Sequence, residues 1–194
     1  MGIRIATEQD LEQILSIYGP YVENTTVSFE YEVPTMGEFR VRFGEITKQF
    51  PWLVWEEDGI IAGYTYACAP FSRAAYCWCA EPSIYLRPEF HGRGIGRKLY
   101  NALERLLCMQ GYRLSYAIIT TENAASLAFH SAMGYSHLAE FPHCAYKHGK
   151  CLGIIWMQKP LFSAEMPSNP PVSFPNIVKN RKNFTEILDN LSLS

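Results

Sequence analysis

Residues 89–100, EFHGRGIGRKLY, place Gly92, Gly94 and Gly96 at alternate positions just before a segment of helical periodicity. Closely spaced glycines let backbone N–H groups turn toward one point and let a bulky anion approach the main chain. Downstream, Ile95, Leu99, Ala102, Leu103, Leu106 and Leu107 recur at helical spacing, which predicts an amphipathic helix whose positive N-terminal end faces that point. Arg93, Arg97 and Lys98 add charge. A plain strand-to-helix turn is the simpler reading, but it needs one glycine and not this series. The stretch therefore predicts a strand, an anion cradle and a helix in succession. A dinucleotide loop G-x-G-x-x-G would need glycine where Arg97 stands, and the Walker pattern G-x-x-x-x-G-K-[ST] has no match, so neither phosphate motif accounts for it.

Around this unit the chain alternates short elements. IRIA reads as a first strand, after which Thr7 or Asp10 can cap a helix with Leu11, Ile14, Leu15 and Tyr18 on one stripe. A second helix is expected from about residue 35 to residue 48, and WLVWEE, the turn DG and IIAGYTYACA form a hairpin. AEPSIYLRP is a strand closed by Pro88, Gly111 stops the long helix, and RLSYAIITT, a helix over 123–133 and two strands around YSHLAEF and CLGIIWMQ follow. The order predicts an α/β (α+β) fold with a mixed, largely antiparallel sheet of about six to seven strands flanked by helices. Beyond residue 161 the composition turns rich in Pro, Ser and Asn, so residues 1–161 read as the domain and 162–194 as an extension, partly disordered, with a short helix around NFTEILDNL.

A net charge of -2 with no basic stripe argues against general affinity for nucleic acid or anionic lipid. The N-terminus lacks a signal-peptide core and no apolar run is long enough for a bilayer, which predicts a cytoplasmic protein. The six cysteines show no C-x-x-C pair, so reduced thiols are expected and no metal site.

HGRGIGRKLYNAL resembles the acetyl-CoA pyrophosphate loop of the GCN5-related N-acetyltransferases, whose pattern is Gln or Arg, then x-x-G-x-G or x-x-G-x-A. Gly94 and Gly96 match, while His91 stands where that family has Gln or Arg. NAASLAFHSAMGY is similar to the family's N-x-x-A-x-x-x-Y-x-x-x-G-F helix, with His130 in place of the Tyr. Within the family, IYGPYVENTTVSFEYE, PFSRAAYCWCAEPSIYL and EFPHCAYKHGKCLGIIWMQ resemble the phosphinothricin and methionine sulfone or sulfoximine acetyltransferases, over residues 2–161.

The resemblance implies acetyl-CoA as co-substrate, no metal, a small amine substrate and a homodimer. It assigns the cofactor to the backbone of Ile84, Tyr85 and Leu86, to Gly92, Arg93, Gly94, Ile95, Gly96 and Arg97, and to Asn123. It implies that Glu81, at the start of a strand, accepts the ammonium proton before attack. Pro82 next to it departs from the pattern by removing a main-chain donor. His130 is a candidate proton donor to the leaving thiolate, or a helix histidine hydrogen-bonded near the cofactor; both readings stand. Arg73 can grip a carboxylate or phosphinate with two hydrogen bonds, or is a surface arginine. Phe29, Glu30 and Tyr76, with Trp78, are expected in the substrate wall, where core packing explains the aromatics equally well. Cys151 and Gly153 replace the Trp and Asp that relatives often show there. Rival functions are an acetyltransferase of the same fold acting on another amine, such as a protein N-terminus or polyamine, and a non-catalytic acyl-CoA-binding module.

Overall fold

The computed structural model describes residues 1–162 and 169–180. In chain order the elements are β1 (Gly2–Ile5), α1 (Leu11–Asn24), α2 (Met36–Thr47), β2 (Trp52–Glu57), β3 (Ile60–Cys68), β4 (Cys79–Leu86), α3 (Ile95–Gln110), β5 (Leu114–Thr120), α4 (Ala124–Ala132), β6 (Ser136–Lys147), β7 (Lys150–Pro160) and α5 (Phe174–Lys179). The strands form one seven-stranded sheet in the order β1-β2-β3-β4-β5-β7-β6. Every neighbouring pair is antiparallel except β4 and β5.

Local chemistry sets the boundaries. Thr35 and Glu38 exchange hydrogen bonds across the first turn of α2, with the Thr35 N–H donating to Glu38 Oε2 at 2.8 Å. Both hairpins turn on a residue followed by glycine at positive φ: Asp58 at 50° and Gly59 at 79° between β2 and β3, His148 at 49° and Gly149 at 74° between β6 and β7. Paired positive φ values match the twist of antiparallel strands.

The sheet is covered on both faces. On one, Leu99, Leu103 and Leu106 of α3 pack with Leu53 and Ala80; on the other, Leu11 and Ile14 of α1 and Phe39 of α2 pack with Trp52 and Tyr64. Each such large apolar side chain removed from water contributes about 1.5–3 kcal/mol. The faces stay distinct because strand side chains alternate.

Between β4 and β5 the sheet opens. Only Cys79↔Leu114 and Ala80↔Ser115 are paired, whereas β4 stays with β3 as far as Leu86 and β5 with β7 as far as Thr120. The Arg87 N–H donates to the Ala62 carbonyl at 2.9 Å, so the main-chain groups of odd-numbered residues here face β3 and those of residues 82, 84 and 86 face β5. Residue 82 is proline. The next donor the β4–β5 ladder would need is missing, and the ladder ends there.

Within the extension, residues 169–180 are described and pack on the domain. Phe174 at the start of α5 is 5% exposed and joins Ile177 and Val178 against the α3 side of the core. The Val172 N–H donates to the Gln110 carbonyl and the Phe174 N–H to the Gln49 carbonyl, while Gln110 Nε2 donates to the carbonyls of Gln49 and Val172. Three apolar side chains in a Pro-rich stretch suffice to dock it once Gln110 satisfies the extended backbone leading in. The helix expected around NFTEILDNL lies outside the described residues. All six cysteines are free thiols, and among the described residues no group of His, Cys, Asp and Glu is arranged to hold a metal ion. No helix among them is long and apolar enough to cross a membrane.

Candidate active site

The glycine stretch forms the turn from β4 into α3. Gly92 and Gly94 have φ of 73° and 77°, and a Cβ on either would meet nothing within 4 Å, so the backbone borders open space. These values lie in the left-handed region that a side chain disfavours. The space is a cavity of about 530 Å³ lined by Gly92, Gly94, Ile95, Gly96, Arg97, Ile84, Leu86 and Asn123, with Tyr21, Val27 and Phe129. A second hollow of about 70 Å³, between Pro82–Tyr85 and Ala117–Thr120, shares Val27, Ile84, Asn123 and Ser126 with it. Together they run from the N-terminus of α3 into the opening between β4 and β5.

Most of the residues expected at the cofactor line these cavities. Arg93 does not: its guanidinium donates to Glu57 at 3.0 and 2.8 Å and lies over the Phe90 ring, which ties the loop to β2. Arg97 is left as the cationic side chain on the cavity wall. His91 lies 3.4 Å from both the Leu86 carbonyl and the Tyr21 hydroxyl, and Tyr21 donates to that carbonyl at 2.7 Å. Asn123 caps α4, its Oδ1 accepting from the Ser126 N–H at 3.0 Å.

His130 is 4% exposed. Its Nδ1 is 2.8 Å from the Ser126 carbonyl and its Nε2 2.9 Å from the Tyr100 hydroxyl. A carbonyl only accepts, so Nδ1 carries the proton and Tyr100 donates to Nε2. Burial lowers the pKa of the ring, against a smaller opposing effect of the Ser126 carbonyl. The imidazole is neutral, with both nitrogens bonded inside the protein.

Glu81 is the first β4 residue beyond the last β4–β5 pair. It pairs with Cys68 and alternates with Ser83 and Tyr85; Tyr85 meets Tyr18 and Tyr21 of α1, which puts Glu81 on the α1 and α2 face of the sheet. Burial raises its pKa, and no cation among the described residues offsets the shift. The neighbouring Cys68 thiol is pushed up to about 12 by burial and by the Glu81 charge. A half-buried carboxylate without a cationic partner is suited to take up a proton.

Two loops flank that face. In the 69–78 loop, Phe71 packs on Trp156 of β7, Tyr116 of β5 and Tyr76, while Arg73 is exposed beside them on an open hollow. In the 25–35 loop, Phe29 is partly exposed and Glu30 binds Arg42 of α2 at 2.5 Å. Cys151 and Gly153 alternate with Ile155 and Met157, which pack on the α4 side, so these two departures face away from Glu81. Cys151 Sγ instead lies 3.5 Å from His143 Nδ1.

Sequence reasoning missed Tyr21, Val27, Arg42 and Lys147. Tyr21 continues the apolar stripe of α1 by one turn and was legible from spacing; the others depend on loop packing that spacing does not encode.

Residues 3–156 match the acetyltransferase (GNAT) domain family. The chain belongs to the GNAT family. Phosphinothricin N-acetyltransferase of Streptomyces viridochromogenes is 32% identical over 168 residues, covering 87% of this chain and 90% of that protein. L-methionine sulfoximine/L-methionine sulfone acetyltransferase of Salmonella typhimurium is 30% identical, covering 81% and 93%. The solved GNAT superfamily phosphinothricin acetyltransferase of Sinorhizobium meliloti in complex with AcCoA superposes with a TM-score of 0.82 at 34% identity, covering 87% of this chain and 94% of that one. The present GNAT chain is thus an acetyltransferase homologue along most of its length.

Proposed function

We propose that this protein transfers acetyl from acetyl-CoA to the primary amine of a small amino acid or analogue of the phosphinothricin or methionine sulfoximine type, with Glu81 as general base. The observation that carries the reading is a half-buried carboxylate with raised pKa, one residue beyond the last β4–β5 pair and directly before Pro82 and Ser83, which line the inner hollow that joins the glycine-lined cavity. Acetyl-CoA supplies a thioester acetyl group to such a site. The residues fit it: Gly92 and Gly94 leave room for a pyrophosphate at the α3 N-terminus, and Arg97 adds charge. Residues 84 and 86 turn main-chain groups toward the opening, as an extended amide-bearing arm requires.

Glu81 accepts the ammonium proton directly or through water, which frees the nitrogen lone pair. In this reading the acetyl group passes directly from the thioester to the amine nitrogen, and the thiolate of CoA leaves. For His130 the hydrogen bonds favour holding α4 against α3; an acid role would require the ring to leave Tyr100. Arg73, Phe29, Glu30 and Tyr76 border the amine side in this reading, with Arg73 gripping the substrate carboxylate or phosphinate. We also read the protein as a cytoplasmic homodimer, and sedimentation tests the pairing.

The test is a panel of amines with detection of free thiol. Release of CoA with phosphinothricin, methionine sulfoximine or amino acids supports the reading. Release only with peptides or polyamines overturns the substrate class, and release with no amine, while acetyl-CoA still binds, leaves a non-catalytic binding module.

A further inference from the structure

Lys147, the last residue of β6, is 2% exposed, yet no carboxylate among the described residues lies within ion-pair distance of it. Its Nζ donates to the Val22 carbonyl at 2.7 Å and the Ser28 carbonyl at 2.6 Å. Val22 lies in the last turn of α1, where a carbonyl has no intrahelical donor, so the ammonium caps that helix from a distant strand. Ser28 is itself buried, its hydroxyl 2.7 Å from Tyr18 Oη, and it accepts from the Glu30 N–H at 3.2 Å. Between these anchors sits Val27, which lines both the large cavity and the inner hollow; directly after them come Phe29 and Glu30.

Burying an ammonium on two carbonyl dipoles is costly compared with an apolar side chain of the same length. Its geometric product is specific: one point fixes both ends of residues 22–28. We infer that Lys147 is a positioning residue, which holds the segment carrying Val27, Phe29 and Glu30 at the junction of the acetyl-donor channel and the amine side. The part concerning the amine rests on the function proposed above; the part concerning the channel rests on the cavity alone.

Lys147→Met keeps the length and removes the ammonium. In hydrogen exchange of the free protein, amides of residues 23–30 are expected to exchange about tenfold faster, with those of α3 and β7 unchanged. The amine KM is expected to rise about tenfold with kcat within about threefold, because a displaced wall weakens binding more than chemistry. Tyr31→Phe removes an exposed tie in which the Tyr31 hydroxyl donates to the Tyr146 carbonyl at 2.8 Å; it loosens the same loop from outside and gives a weaker effect of the same kind even if Lys147→Met fails to fold. Unchanged exchange at residues 23–30 in the folded variants, or a rise spread over the whole molecule, overturns the inference. If the wild-type protein acetylates no amino acid, the proposed function fails, while the exchange pattern and the acetyl-CoA dissociation constant still decide the role of Lys147.

Discussion

Tyr100 of α3 donates to Nε2 of His130 of α4 across 2.9 Å, with both side chains essentially sealed from solvent. This bond joins the helix that follows the glycine turn to the helix that Asn123 caps. Tyr100→Phe leaves the imidazole nitrogen without a partner, so it is expected to lower stability by about 1–3 kcal/mol, read from urea denaturation at pH 8.

The same ring predicts a pH dependence. Burial lowers the His130 pKa in the folded protein, so the unfolded chain binds the proton more tightly. This part of the stability is therefore present above the ordinary histidine value of about 6.5 and is lost as pH falls below it toward the folded value. Melting temperatures from pH 8 to 5 are expected to fall less steeply in His130→Gln than in the wild type, after correction for their difference at pH 8.

Glu81 carries the opposite sign. Its raised pKa means that the folded protein holds the proton more tightly, so the group costs stability as pH rises above the usual carboxylate value. Glu81→Gln is expected to be as stable as the wild type, or more so, at pH 7. Activity goes the other way, falling by a factor of about 100 to 10,000, the usual worth of general base assistance, with acetyl-CoA affinity retained. In the wild type, kcat/KM is expected to rise with pH through the raised pKa; a flat profile, or an active Gln variant, removes Glu81 from the mechanism.

The cradle glycines separate under substitution. Gly94→Ala meets no atom but forces a left-handed conformation costing of order 1 kcal/mol and puts a methyl group at the cavity edge. Titration with CoA is expected to show affinity reduced about tenfold or more, since each 1.4 kcal/mol of lost binding is tenfold. Gly96→Ala would place its Cβ 3.5 Å from Leu86 Cδ1 and 3.6 Å from Ile84 Cδ1, ordinary contacts at normal φ, and CoA affinity should stay within about threefold.

Removing the Phe174 ring tests whether α5 belongs to the core. Phe174→Ala is expected to cost about 3–5 kcal/mol in chemical denaturation, as for other buried aromatics.

Much of this was legible in the chain itself. Apolar periodicity, Gly111 and the DG turn located the helices and hairpins because those signals are local. The open glycine turn was legible because glycine at alternate positions is costly without a backbone use. Arg93 carries a charge that fits a cofactor in the sequence and is bound to Glu57 in the fold, because the sign of a charge is legible and its nearest partner is not. Lys147 escaped notice for a related reason: its partners are carbonyl groups of residues 22 and 28, which every residue type supplies. The docked α5 was hidden by composition, since proline and serine around Phe174 mask the few apolar residues that anchor it.

Pro82 ends the β4–β5 ladder by covalent structure, so the gap is a standing property of the chain and not a response to a guest. A neighbouring substitution cannot zip the sheet shut at that position, because only replacing the proline restores the missing donor. Under the proposed function, an arriving acetyl donor would have no strand bonds to break, and drift in the surrounding side chains could change the preferred amine without closing the gap.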